Sequence, residues 1–123
     1  MATHAVTSQD FNQVVESNDL VFVDFWATWC GPCRAFGPSF EKASEANPDV
    51  YFAKVDIDQN PDLAAAAKVQ AVPTLMVVKK QQIIFQQAGA LRASDLDDLI
   101  SQAKALDMRP LPMGTPLPAE TPK

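Results

Sequence analysis

Two cysteines separated by two residues, in Trp29-Cys30-Gly31-Pro32-Cys33, are the side chains of this sequence best suited to covalent chemistry. Such a pair cycles between dithiol and disulfide, and the thiolate is its reactive form. Where the pair follows a strand and opens a helix, the unpaired N–H groups and partial positive charge of the helix start stabilise a thiolate. Cys30 sits at that end, so its pKa is expected below the free-thiol value of about 8.5. Cys33, one turn further in, can attack Cys30 once a mixed disulfide has formed. Pro32 stiffens the loop and starts the helix, and Gly31 lets another protein's backbone come near. A zinc site would need about four ligands, and the one histidine, His4, is far away in the chain. A c-type haem site would need histidine at position 34, where Arg34 stands. The loop is too small to staple a fold, which leaves thiol–disulfide exchange as the expected chemistry.

Asp24 is the second candidate. It interrupts Leu20-Val21-Phe22-Val23-Asp24-Phe25-Trp26, otherwise apolar and aromatic throughout. A buried carboxylate must be paired or protonated. A raised pKa would suit a general base that takes the Cys33 proton through water; the alternative is a capped or edge carboxylate with no role. Trp26 is by default a core aromatic, and His4 reads as solvated.

These residues need a scaffold. The run 20–26 suits a strand buried on both faces, with helices covering each side. A helix is expected before it, capped by Ser8, with Phe11, Val14 and Val15 inward. Another is expected over 33–46, with Phe36, Phe40 and Ala43 on one stripe and Pro38 kinking or restarting it. Asn47-Pro48-Asp49 stops it, and Val50–Val55 is the next central strand. Asn60 is expected to cap a short helix from Pro61 through Ala67. Leu75–Val78 and Ile83–Phe85 form an antiparallel pair around a turn at Lys79–Gln82, and Gly89 punctuates. The last helix is expected to be capped by Ser94, with Asp95, Asp97 and Asp98 in its first turn and Leu96, Leu99, Ile100, Ala103 and Leu106 inward. The order α-β-α-β-α-β-β-α, with a short edge strand near His4–Val6, argues for an α/β domain with a mixed sheet.

The chain has 123 residues, 47% of them hydrophobic, enough for one domain with a core. A net charge of −5 without a basic cluster argues against nucleic acid and anionic membrane surfaces as partners. No apolar run is long enough for a membrane helix. The first seven residues lack a basic flank and an apolar stretch, so no secretory signal is read there and the cytoplasm is the expected location. Five of the ten prolines lie within residues 110–123. The domain is therefore expected over 1–107, followed by an extended, mobile tail over 108–123.

Val23-Asp24-Phe25-Trp26-Ala27-Thr28-Trp29-Cys30-Gly31-Pro32-Cys33-Arg34 resembles the active-site stretch of bacterial thioredoxins. Val55-Asp56-Ile57-Asp58-Gln59-Asn60-Pro61, Ala71-Val72-Pro73-Thr74-Leu75 and Gly89-Ala90 are similar to later segments of that family in order and spacing, so the resemblance covers roughly residues 5–106. It implies the thioredoxin fold, a central mixed sheet flanked by helices on both faces, and reduction of protein disulfides with Cys30 as nucleophile and Cys33 as resolving thiol. In the family, a Gly-Pro pair between the cysteines marks reductants. The resemblance further implies a buried Asp at position 24 with Lys54 as its neighbour, though Lys54 taken alone reads as an exposed strand residue. It implies a cis Val72–Pro73 bond facing the dithiol, where sequence physics alone favours trans. Trp29 is expected on the surface beside the thiols. With Gly31, Pro32, Ile57, Val72, Pro73, Ala88, Gly89 and Ala90 it would form a flat apolar patch, and an extended substrate segment would dock there by pairing with the backbone of Val72.

No bound cofactor is implied beyond the redox-active Cys30–Cys33 disulfide. The implied partners are disulfide-containing client proteins and a flavin-containing, NADPH-dependent thioredoxin reductase, with the chain acting as a monomer. Two rival readings stand beside this one: an exported oxidant or isomerase, and a binding module that never turns over. The sequence departs from the family at the hairpin turn Lys79-Lys80-Gln81-Gln82, which lacks the usual glycine, at Gly37 before Pro38, and in the proline-rich tail.

Overall fold

Alternating apolar runs and amphipathic stretches resolve into nine elements in the computed structural model, which describes residues 2–107. They are β1 (Thr3–Ala5), α1 (Phe11–Ser17), β2 (Leu20–Trp26), α2 (Gly31–Ala46), β3 (Tyr51–Asp56), α3 (Pro61–Ala66), β4 (Thr74–Lys79), β5 (Gln82–Ala88) and α4 (Ala93–Ala105). The sheet runs β1-β3-β2-β4-β5. The first three strands in that order are parallel, and β4 and β5 each lie antiparallel to the preceding neighbour. This is the α/β architecture with a mixed sheet that the pattern of elements predicts.

β2 occupies the middle of the sheet, which is why it reads as an almost unbroken apolar run. Alternate residues serve opposite faces. Leu20, Phe22, Leu75 and Val77 pack with Phe36, Phe40 and Ala43 of α2 and Leu96, Ile100 and Ala103 of α4. Val21, Val23, Phe25, Met76 and Val78 pack on the other side with Phe11, Val14 and Val15 of α1 and with Leu63 of α3. The buried aromatic rings Phe22, Phe52 and Phe40 touch in sequence, with centroids 5.5 Å and 5.2 Å apart, and tie α2 to the sheet.

Several local expectations are corrected. The edge strand lies at Thr3–Ala5, one residue earlier than expected. Ser8 does not cap α1, which begins at Phe11 with Asp10 in the cap position and no side-chain cap. Its backbone N–H instead donates to Asn60 Oδ1 at 2.9 Å, and its hydroxyl donates to Asp62. Asn60, thus engaged, makes no side-chain cap on α3, and its Nδ2 donates to the Asp56 carbonyl at 3.0 Å. α2 starts two residues before Cys33 and remains helical through Pro38, since packing of its apolar stripe outweighs one lost backbone donor. α4 begins at Ala93, so Ser94 lies inside it and only Asp95 of the three acidic residues falls in the first turn. Lys79 closes β4 as a buried residue, and β5 extends beyond Ile83–Phe85 at both ends. The expected tail over 108–123 lies outside the described residues.

Candidate functional site

The dithiol sits where β2 ends and α2 begins. Cys30 is the N-cap residue of α2, with extended backbone (φ −92°, ψ 113°), and Pro32 stands in the first turn, where its missing N–H costs nothing. Cys30 and Cys33 are joined in a disulfide with their Cα atoms 5.3 Å apart. Both are nearly buried, at 4% and 5% exposure, among Ala27, Trp26, Ile57 and Val72. The Cys33 N–H donates to Cys30 Sγ at 3.1 Å. A first-turn amide thus points at the sulfur that would carry negative charge, which is how a helix start stabilises an anion. Cys30 Sγ also lies 3.6 Å from the Val72 carbonyl oxygen.

Asp24 is buried at 1% exposure, and neither carboxylate oxygen has a hydrogen-bond partner among the described residues. Burial raises its pKa to about 7, and the positive charge of Lys54 pulls partly against that rise. Asp24 and Lys54 are register partners on β2 and β3, so they lie side by side on the sheet face that α2 covers. Lys54 is half-buried rather than exposed. A cavity of about 540 Å³ opens beside Cys33, lined also by Trp26, Arg34, Gly37, Glu41 and Lys54.

The residues expected to form a docking patch are placed unevenly. Ile57 and Val72 are half-buried and pack on the disulfide. Val72–Pro73 is cis, and Pro73 is buried rather than part of an exposed surface, its carbonyl accepting the Gly89 N–H at 2.8 Å. That bond holds the end of β5 against the loop facing the dithiol. Trp29 is 64% exposed, and Gly31, Pro32, Ala88, Gly89 and Ala90 are exposed as well. Gly89 has φ +104°, a conformation side-chain-bearing residues rarely adopt.

Sequence reasoning missed three neighbours. The Trp29 indole N–H donates to Asp58 Oδ2 at 2.9 Å, and this bond orients a ring that is otherwise free in solvent. Arg34 Nη2 donates to the Thr28 carbonyl at 2.8 Å. Trp26, read as a core aromatic, is only half-buried and carries the Lys54 ammonium 5.2 Å from its ring centroid. Asp58 could have been suspected from Asp56-Ile57-Asp58 following a strand; the other two contacts leave no local signal. Among the described residues, no group of three or more His, Cys, Asp or Glu side chains is arranged to hold a metal, and no helix is long and apolar enough to cross a membrane.

A family model described as Thioredoxin matches residues 2–102. Putative thioredoxin 2 of Streptomyces coelicolor is 50% identical over 107 residues, covering 87% of this chain and 80% of that protein. Among solved structures, a point-mutant thioredoxin from Halobacterium salinarum superposes with a TM-score of 0.80 at 34% identity, covering 85% of this chain and 93% of that one. The oxidised form of mitochondrial thioredoxin 3 from Saccharomyces cerevisiae does so with a TM-score of 0.74 at 37% identity, covering 81% and 93%. With a family model spanning most of its length and half of the aligned residues shared with a bacterial relative, the chain belongs to the thioredoxin family, and its paired cysteines make it a thiol–disulfide oxidoreductase.

Proposed function

We propose that the chain is a general reductant of protein disulfides in which Cys30 attacks and Cys33 resolves. In the reduced protein, the Cys30 thiolate attacks one sulfur of a client disulfide, forming a Cys30–client bond and expelling the other client sulfur as a thiolate. Cys33, deprotonated, then attacks Cys30 Sγ. The Cys30–Cys33 bond forms, the second client thiolate leaves, and two electrons have passed from dithiol to client. The observation that carries this assignment is the Cys33 N–H aimed at Cys30 Sγ at 3.1 Å, which favours negative charge on the first sulfur rather than the second.

Asp24 is the group proposed to accept the Cys33 proton. With a pKa of about 7 it is poised to exchange a proton near neutrality. Lys54, its cross-strand neighbour, moderates that value. The client segment docks over Trp29, Gly31, Pro32, Ile57, Val72 and Ala88–Ala90, with the buried Pro73 shaping the loop beneath them. Support for this comes from the packing of Ile57 and Val72 on the disulfide and from the exposed indole of Trp29. Regeneration falls to a flavin-containing, NADPH-dependent thioredoxin reductase, as family membership implies. A dithiol working as a reductant suits a reducing compartment, so the cytoplasm is the proposed location. One chain carries the whole dithiol site, and it is proposed to act as a monomer.

The test is Cys33→Ser. This variant should accumulate mixed disulfides joined through Cys30 and lose turnover in insulin reduction. Absence of covalent adducts, or activity retained when both cysteines are Ser, overturns the assignment.

A further inference from the structure

Asp24 and Lys54 are paired in register on neighbouring strands. An ammonium beside an unpartnered buried carboxylate ordinarily closes a hydrogen-bonded ion pair, because a buried charge without a partner is costly. Here it does not. Neither Asp24 oxygen accepts a hydrogen bond from any described residue, and Lys54 Nζ stands over the Trp26 ring at 5.2 Å from its centroid. Trp26 lies two residues beyond Asp24 on the same strand, hence on the same face. Gly37 of α2 approaches from the helix side: a Cβ added there would stand 3.8 Å from Lys54 Nζ, an ordinary van der Waals contact. Trp26, Gly37 and Lys54 share the wall of the cavity beside Cys33.

We propose that Trp26 is a positioning residue whose ring holds the Lys54 ammonium at the cavity beside Cys33 and out of direct contact with the Asp24 carboxylate. Indole is the strongest aromatic host for a cation, so it can compete with a carboxylate that is itself poorly solvated. A closed pair would favour the ionised carboxylate and draw its titration down toward the ordinary range. With the ammonium on the ring, Lys54 acts on Asp24 through its field alone, and burial dominates. The other charged groups lining the cavity are engaged elsewhere. Arg34 donates to the Thr28 carbonyl, and Glu41 accepts from the Ala2 N–H at 3.1 Å and the Thr3 hydroxyl at 2.6 Å. β4 faces Asp24 with Leu75, which is uncharged. The inference rests on the reading of Asp24 as the proton acceptor for Cys33.

The experiment follows the Asp24 carboxyl ¹³C shift against pH in the oxidised protein, where no thiol titrates. Four proteins are compared: wild type, Trp26→Phe, Lys54→Met and the double variant. Phe preserves an apolar ring but hosts a cation less well, so Trp26→Phe should lower the Asp24 midpoint by about half a unit. In the Lys54→Met background the same substitution should shift the midpoint much less. Equal shifts in the two backgrounds would assign the effect to water entry or packing and overturn the proposal, as would no shift in either. Trp26→Tyr replaces the Phe variant if that one does not fold. Because the titration reads the carboxyl itself, its outcome is independent of turnover. Full activity in Asp24→Asn would sink the proton-acceptor reading while leaving the Trp26–Lys54 result standing.

Discussion

Asp24 ties the stability of the fold to pH through a single buried carboxyl group. Its ordinary carboxyl pKa of 3.8 is raised to about 7 in the folded protein, chiefly by burial. Between roughly pH 4 and 7 the folded state therefore keeps a proton that the unfolded chain has released, and stability falls as pH rises through that window. Above it the penalty is constant, and below it there is none. Asp24→Asn removes the titration. Its stability relative to wild type should rise by up to about 4 kcal/mol between pH 4 and pH 8, at ~1.4 kcal/mol per unit of raised pKa. Denaturant unfolding across that range checks this. The diagnostic is the pH dependence, because a buried amide brings a constant desolvation cost of its own. A difference that does not change with pH would mean that Asp24 titrates normally. Asp24 is legible as an anomaly because a charge inside a seven-residue apolar strand stands out, whereas its lack of a hydrogen-bond partner depends on neighbours from β3 and α2.

Among the elements, the strands and long helices follow their periodicities, and the connections hold the surprises. The β4–β5 turn consists of Lys80 and Gln81, with φ of 50° and 66°. Two positive φ values in a two-residue hairpin loop are the hallmark of the type I′ turn, which matches the twist of the strands and favours Asn-Gly. Without a glycine the turn type is not readable from the chain; strand pairing imposes it regardless, with Lys80 anchored to Asp19 at 2.9 Å. Gln81→Gly should relieve left-handed strain and raise stability by about 0.5–1 kcal/mol, read as a higher urea midpoint with unchanged slope. α3 ends in the same way. Lys68, at φ 59°, donates to Ala65 and Val69 donates to Ala64, a Schellman pattern in which glycine is usual. The caps expected for α1 and α3 fail for one common reason. Ser8 and Asn60 have the right chemistry to cap their own helices but bond across 52 residues to each other.

Across the whole molecule, Lys79 makes a connection that no local pattern announces. A lysine next to a turn reads as solvated, yet this one is 5% exposed, and its ammonium donates to the carbonyls of Ala103 at 2.6 Å, Lys104 at 3.1 Å and Leu106 at 2.7 Å. These carbonyls lie at the C-terminus of α4, where the helical donors run out and Ala103 accepts a long 3.4 Å bond from the Leu106 N–H, and a cation there also complements the helix dipole. β4 thereby holds the end of α4. Lys79→Met keeps the aliphatic stem but takes the ammonium from one buried and two part-buried carbonyls, so it should cost about 1–3 kcal/mol. Hydrogen exchange should locate the loss, with amides in the last turns of α4 accelerated more than those of β2. Uniform acceleration would show that the contact serves global stability alone.

Composition, periodicity and spacing were sufficient for the α/β class, for a buried central strand, for a helix opening at a cysteine pair, and for one carboxylate out of place. All of these are written in short stretches of chain, where burial leaves a repeating apolar pattern and the cysteine spacing fits one helical turn. Family resemblance added the cis Val72–Pro73 bond, against the intrinsic preference of the backbone. Folding itself brought Trp29 to Asp58, Lys54 to Trp26, Ser8 to Asn60 and Lys79 to the end of α4. Each of these contacts joins groups far apart in the chain. Their partners are chosen by which strands become neighbours and by how little water is left between them, and neither is written in any stretch of sequence short enough to read alone.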